Sequence, residues 1–154
     1  MRLIEDPLAQ LLCMVVDDDA EHCKHLAANL KKVGVKQVLS AACGQEALGI
    51  LTAQPRPVDL ILADVQMPNG NGLQLLQALR VGNIKGMRMN STFVLATASA
   101  TVGLIQTASS LDANGFVVKP VNADKFEATI LKARRTVFPP SPHRHAEIYI
   151  PDEI

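Results

Sequence analysis

The chain has 154 residues, 48% of them hydrophobic and 19% charged, which is enough apolar mass for one self-sufficient core and unlike a disordered protein. Its 15 Lys and Arg balance 15 Asp and Glu. This lack of basic excess argues against direct binding of nucleic acid or an anionic membrane surface. The length fits one domain with a short tail and leaves no room for a separate output domain. Cys13, Cys23 and Cys43 have no CxxC spacing and no secretory leader precedes them, which suits a reducing cytoplasm. The apolar run from Leu11 to Val16 is far too short to cross a bilayer, so a soluble chain is expected.

Residues 1–10 read as an N-terminal extension. The run LLCMVV, Leu11 to Val16, has the continuous apolar character of a strand buried on both faces of a parallel sheet. From Ala20 the apolar positions Cys23, Leu26, Ala27, Leu30 and Val33 follow helical spacing, with Lys31 and Lys32 in the last turn and Gly34 as a stop. Val38 to Ala42 is a second strand and Gln45 to Ala53 a second helix, ended at Pro55. Val58 to Ala63 is a third buried strand with Asp64 just past its end. The turn cluster Met67 to Gly72 leads into a helix from Leu73 to Val81 that offers Leu75, Leu76 and Leu79 to one face. A polar loop from Gly82 to Ser91 precedes the fourth strand, Thr92 to Ala96, and a helix from Thr101 to Leu111. Gly115 to Val118 is the fifth strand, and Asp124 to Val137 a last helix with Phe126, Ile130, Ala133 and Val137 on one side. Alternating strands and helices at short connections imply an α/β domain over residues 11–138, with helices on both faces of a parallel sheet. Residues 139–154 read as a Pro-containing tail or linker, with His143, Arg144 and His145 a flexible basic segment rather than a metal site.

In an open parallel sheet, ligands bind beyond the carboxyl ends of the strands, where the strand order reverses. Asp17 and Asp18 follow the first strand, Asp64 the third, Thr97 the fourth and Lys119 the fifth. Carboxylates gathered at one edge repel each other, and a hard divalent cation such as Mg²⁺ relieves that repulsion through oxygen ligands and retained waters. A carboxylate can also attack phosphorus to give an acyl phosphate, a transfer that depends on alignment and charge stabilisation. Asp64, alone at the end of a buried strand, is the candidate nucleophile, with Lys119 and the Thr97 hydroxyl expected to meet the phosphoryl oxygens. Each feature by itself is commonplace, since Asp18 or Asp19 could merely cap the first helix. Their coincidence at the right strand ends favours a site.

This combination resembles the receiver family of two-component response regulators over about residues 10 to 138. The segment VVDD, Val15 to Asp18, is similar to the family's acidic pair, and LADVQMP, Leu62 to Pro68, to its phosphoacceptor loop. VLATA, Val94 to Ala98, is similar to its hydroxyl strand, and GFVVKP, Gly115 to Pro120, to its lysine loop. The resemblance implies a flavodoxin-like (βα)5 doubly wound sheet of strand order 2-1-3-4-5. It implies a phosphoacceptor switch rather than an enzyme with a turned-over substrate. Asp64 would carry the phosphoryl group. Asp18, Asp64 and the backbone carbonyl of Gln66 would ligate Mg²⁺, with Asp17 acting through water and Thr97 and Lys119 touching the phosphoryl group. A cis peptide before Pro120 is implied as well. Thr97 and Phe116 would form the switch that remodels the face of the fourth helix, fifth strand and fifth helix. The implied partners are a sensor histidine kinase or phosphotransfer protein, a downstream protein target or effector domain, and a second copy through that face.

Several positions depart from the family pattern. PNGNG, Pro68 to Gly72, stands where a hydrophobic residue and then Asp usually precede the last glycine, so a looser start to the third helix is expected. The loop around Ile84 to Asn90 is longer than is common, and its Lys85 and Arg88 are candidates for a partner contact. Phe116 reads equally as core or switch, and His22 and His25 as solvated surface. Asp17-x-Asp19 also gives the minimal DxD of Mg²⁺-dependent phosphohydrolases resembling haloacid dehalogenases. Against that, Glu21 replaces the expected Thr or Val and no later paired-Asp motif occurs. The intact acidic pair, Asp64, Thr97 and Lys119 argue against a phosphorylation-independent pseudo-receiver.

Overall fold

The apolar runs become strands β1 (Leu12–Val16), β2 (Gln37–Ala41), β3 (Leu60–Asp64), β4 (Thr92–Thr97) and β5 (Gly115–Val118). They alternate with helices α1 (Ala20–Lys32), α2 (Gly44–Ala53), α3 (Gly72–Arg80), α4 (Val102–Ser110) and α5 (Ala123–Arg135), and a short α6 (Pro142–Ala146) follows. The structure is a computed structural model that describes residues 8–151. The strands pair in parallel in the order β2-β1-β3-β4-β5, the flavodoxin-like (βα)5 arrangement. The N-terminal extension lies outside the described residues except for a 3-10 turn at Leu8–Gln10. No helix among the described residues is long and apolar enough to cross a membrane.

Every residue of β1, β3 and β4 is buried, because successive side chains point to opposite faces and both faces are covered by helices. On one face, Met14, Val16, Ile61, Phe93 and Leu95 pack with α2, α3 and α4. On the other, Cys13, Val15, Leu60, Leu62 and Val94 pack with Leu26 and Leu30 of α1 and Phe126 and Ile130 of α5. Each fully buried side chain of this size contributes about 1.5–3 kcal/mol to the apolar driving force. Helix α5 stops at Arg135 and the extended Thr136 turns Val137 outward, so Val137 is exposed instead of lying on the apolar side.

The long loop between α3 and β4 has a structural use that sequence reasoning did not find. Arg80, the last residue of α3, is buried, and all of its N–H groups are occupied. The loop feeds it the carbonyls of Met89 and Ser91, each 2.8 Å from Nη1.

The segment after α5 also differs from the expected flexible tail. Pro142 begins α6, since the N–H of a first helical residue has no intrahelical partner to lose. His145 is buried against Asp112, and Gln77 of α3 donates to the carbonyls of His145 and Ile148.

Candidate functional site

The strand order reverses between β1 and β3, and the residues singled out from the sequence meet at the carboxyl ends of the strands there. Asp17 continues β1 by donating its N–H to Ala41 of β2 at 3.0 Å, and its buried carboxylate accepts from the Asp19 N–H at 2.9 Å. Asp19 caps α1 by accepting from the N–H groups of Glu21 and His22. The His22 N–H chiefly holds the Asp19 carboxyl below its usual range. The three consecutive aspartates thus divide, with Asp19 as the cap while Asp17 and the exposed Asp18 remain at the site.

Asp64 ends β3 opposite Ala96 of β4. One carboxylate oxygen from each of Asp17, Asp18 and Asp64 lies within 4.8 Å of the others. Lys119 follows β5, its N–H bonded to the Thr97 carbonyl at 2.8 Å and its peptide bond to Pro120 cis, as the resemblance implied. Its Nζ is 2.8 Å from Asp17 Oδ2, 3.5 Å from Asp64 Oδ2 and 3.3 Å from His22 Nδ1. His22, read from sequence as plain surface, therefore stands beside the site. Nothing in its own segment signals this, because the contact spans from α1 to the residue after β5.

Thr97 is buried at the end of β4, and its hydroxyl is engaged with the backbone of Ser99 rather than with a carboxylate. Phe116 is half-buried on β5 against the core shared by α3 and α4. Gln66 lies exposed in the loop after β3, and its N–H donates to the Asp64 carboxylate.

That loop is held tightly, which corrects the expectation of a looser start to α3. Asn71 accepts from the Gln74 N–H at 2.8 Å while the Gln74 side chain accepts from the Asn71 N–H at 2.9 Å, a complete capping box. Asn caps as well as Asp, and the N-x-x-Q spacing was the legible signal for it. A Cβ on Gly72 would collide with the backbone oxygen of Asp64. Gly44, at the start of α2, donates its N–H to the Gly70 carbonyl at 3.2 Å, and a Cβ there would sit 2.9 Å from that oxygen. Gly70 itself has φ +104°, a conformation natural only to glycine.

Burial raises the Asp64 carboxyl above its usual range. The Lys119 ammonium opposes this, the Asp17 carboxylate adds to it, and the Gln66 N–H pulls against it. A raised pKa in the folded state means that the native protein binds this proton more tightly than the unfolded chain does. Ionised Asp64 therefore costs stability at neutral pH, and the cost fades as pH falls through the folded pKa and vanishes below the ordinary carboxylate value. Asp64→Asn should accordingly raise Tm by a few degrees in metal-free buffer at neutral pH, with the gain shrinking on acidification. A gain independent of pH would show that ionisation of Asp64 is not its source.

Three carboxylates facing one ammonium leave an excess of negative charge. The all-oxygen donor set suits a hard divalent cation such as Mg²⁺.

The sequence profile of the response regulator receiver domain matches residues 13–131. A probable chemotaxis protein CheY of Rhizobium etli is 34% identical over 118 residues, which cover 76% of this chain and 87% of that protein. The transcriptional regulatory protein ZraR of Escherichia coli is 32% identical over 120 residues, so that 78% of this chain corresponds to 25% of ZraR. Among solved structures, the chemotaxis response regulator CheY4 of Vibrio cholerae superposes with a TM-score of 0.68 at 26% identity, over 80% of this chain and 98% of that one. With its five-stranded sheet and its cluster of Asp17, Asp18 and Asp64, the chain belongs to the response regulator receiver domain family.

Proposed function

We propose that Asp64 is the phosphoacceptor and that residues 11–138 form the receiver unit. The observation that carries this reading is the convergence of the Asp17 and Asp64 carboxylates on Lys119 Nζ at the point where the strand order reverses. An oxygen of Asp64 attacks the phosphorus of a phosphohistidine on a sensor kinase or phosphotransfer protein. The O–P bond forms, the P–N bond breaks, and the released imidazole takes a proton. Asp18, Asp64 and the Gln66 carbonyl would hold Mg²⁺, with Asp17 acting through water, and the ion would supply neutralising charge for the phosphoryl oxygens.

Lys119, already 3.5 Å from Asp64, exchanges its Asp17 contact for a phosphoryl oxygen. Thr97 gives up Ser99 to donate to another, and Phe116 fills the space vacated by the hydroxyl. The face of α4, β5 and α5 then presents itself to a downstream target or a second copy. Exposed Val102, Ile105 and Val118 support that use. Cys13, Cys23 and Cys43 are in no disulfide, which suits the cytoplasm, where such a kinase would deliver the phosphoryl group.

Incubation with acetyl phosphate and Mg²⁺ should give one phosphoryl group per chain, mapped to Asp64 by mass spectrometry and lost completely in Asp64→Asn. Label retained in that variant would sink the assignment. Release of many phosphates per chain from a generic ester would favour a phosphohydrolase, and no label at all a pseudo-receiver.

A further inference from the structure

The chemistry above makes no use of the segment after α5, yet that segment is anchored along its length. Arg144 donates from Nη1 to the carbonyl of Ser110, the last residue of α4, at 2.7 Å, and from Nη2 to Asp112 Oδ2 at 2.6 Å. His145 Nε2 is 2.9 Å from the same carboxylate oxygen. Gln77 Nε2 donates to the carbonyls of His145 at 2.9 Å and Ile148 at 2.7 Å, and Asn71 Nδ2 to that of Pro151 at 3.1 Å. Ile148 and Ile150 pack on the core shared by α3 and α4. The segment thus runs along α3 and ties it to the end of α4.

Both ends of this strap meet helices that directly follow strands carrying site residues. Asn71, its anchor beside the acceptor loop, is buried, caps α3, and directly precedes Gly72, whose Cα lies against the Asp64 carbonyl. At the other end α4 is lightly held, since only Leu104 and Ala108 of its residues are buried while Val102 and Ile105 are exposed. The Arg144 bond to its last carbonyl adds one further tie to those two buried contacts.

We infer that residues 142–151 are an intramolecular strap, and that its docking on α3 and α4 and the phosphorylation of Asp64 oppose each other. This rests on the phosphoacceptor reading. The docked strap accompanies a site in which Lys119 is paired with Asp17 and the Thr97 hydroxyl with Ser99. A phosphoryl group brings about −1.5 to −2 charges and three acceptors, which draw Lys119 and Thr97 inward and shift the loops that lead into α3 and α4. A strap bonded to both helices fits one relative placement of them and is weakened in another. By linkage, the docked strap disfavours phosphorylation to the same degree.

The test is hydrogen exchange of residues 142–151 in the full chain, with and without beryllofluoride and Mg²⁺, while the fluorine resonance reports the adduct on Asp64. Exchange of the strap should rise about tenfold when the adduct forms. Two variants loosen the strap from the other side. Asn71→Asp keeps the cap but has no N–H for Pro151, and Gln77→Ala removes the central anchor. Each should raise strap exchange without beryllofluoride and tighten beryllofluoride binding several-fold. An adduct on Asp64 with unchanged strap exchange, and unchanged beryllofluoride affinity in both variants, overturns the strap. Absence of any adduct overturns the phosphoacceptor reading, and the antagonism with it.

Discussion

Replacement of Arg80 by Ala is expected to cost about 3–5 kcal/mol of stability, the loss typical of breaking a buried charged network. Arg80 is 2% exposed. Its Nε donates to Leu111 O at 3.2 Å, Nη1 to Met89 O and Ser91 O, and Nη2 to Asp112 O at 2.8 Å and Asn114 Oδ1 at 2.9 Å. Burial pushes its pKa down to about 10, against the opposing pull of Asp112, so it stays charged at neutral pH. Truncation would leave those acceptors unpaired, each at a desolvation cost of about 1–3 kcal/mol where water does not reach. Arg80→Lys keeps the charge but loses the planar fork, and should lose most of the same stability. Urea unfolding measures both variants, and midpoints close to the parent would show that the network is dispensable. The acceptors lie in the segments leading into β4 and β5, at the opposite end of the parallel strands from Asp64, so the folded fraction should still accept phosphate.

Lys119→Ala should have an effect of similar size that depends on metal. The Asp17 side chain is fully buried and has Lys119 as its ion-pair partner at 2.8 Å. Without that ammonium, Asp17, Asp18 and Asp64 face one another with no cation between them. Breaking such a pair costs about 3–5 kcal/mol. Saturating Mg²⁺ should return most of it, because a ligand that binds only the folded state stabilises that state by mass action. The variant's Tm should therefore rise far more on adding Mg²⁺ than the parent's, in which Lys119 already offsets part of the repulsion. Equal destabilisation of the variant in chelator and in saturating Mg²⁺ would show that the lysine contributes packing rather than charge.

Sequence alone determined the fold class and the polar residues that gather at the strand ends, because both are written in local patterns. Continuous apolar runs alternating with helical spacing specify a parallel sheet covered on both faces, and such a sheet presents its strand ends together. Asp17, Asp18, Asp64, Thr97 and Lys119 were legible since each ends a strand or lies within two residues after one. The N-x-x-Q capping box at Asn71 was equally legible, although the expectation for that loop went the other way. Three features were decided only by the tertiary structure. Arg80 reads as the charged end of a helix until five acceptors from other segments close around it. Likewise His22 is plain surface until Lys119 arrives from the end of β5. The segment after α5 has the composition of a linker, and it becomes part of the fold through Asn71, Gln77 and Asp112, none of which is near it in sequence. In each case the stabilising partner comes from a distant segment, so no local pattern of spacing or propensity can announce it, and the chain must close before the contact exists.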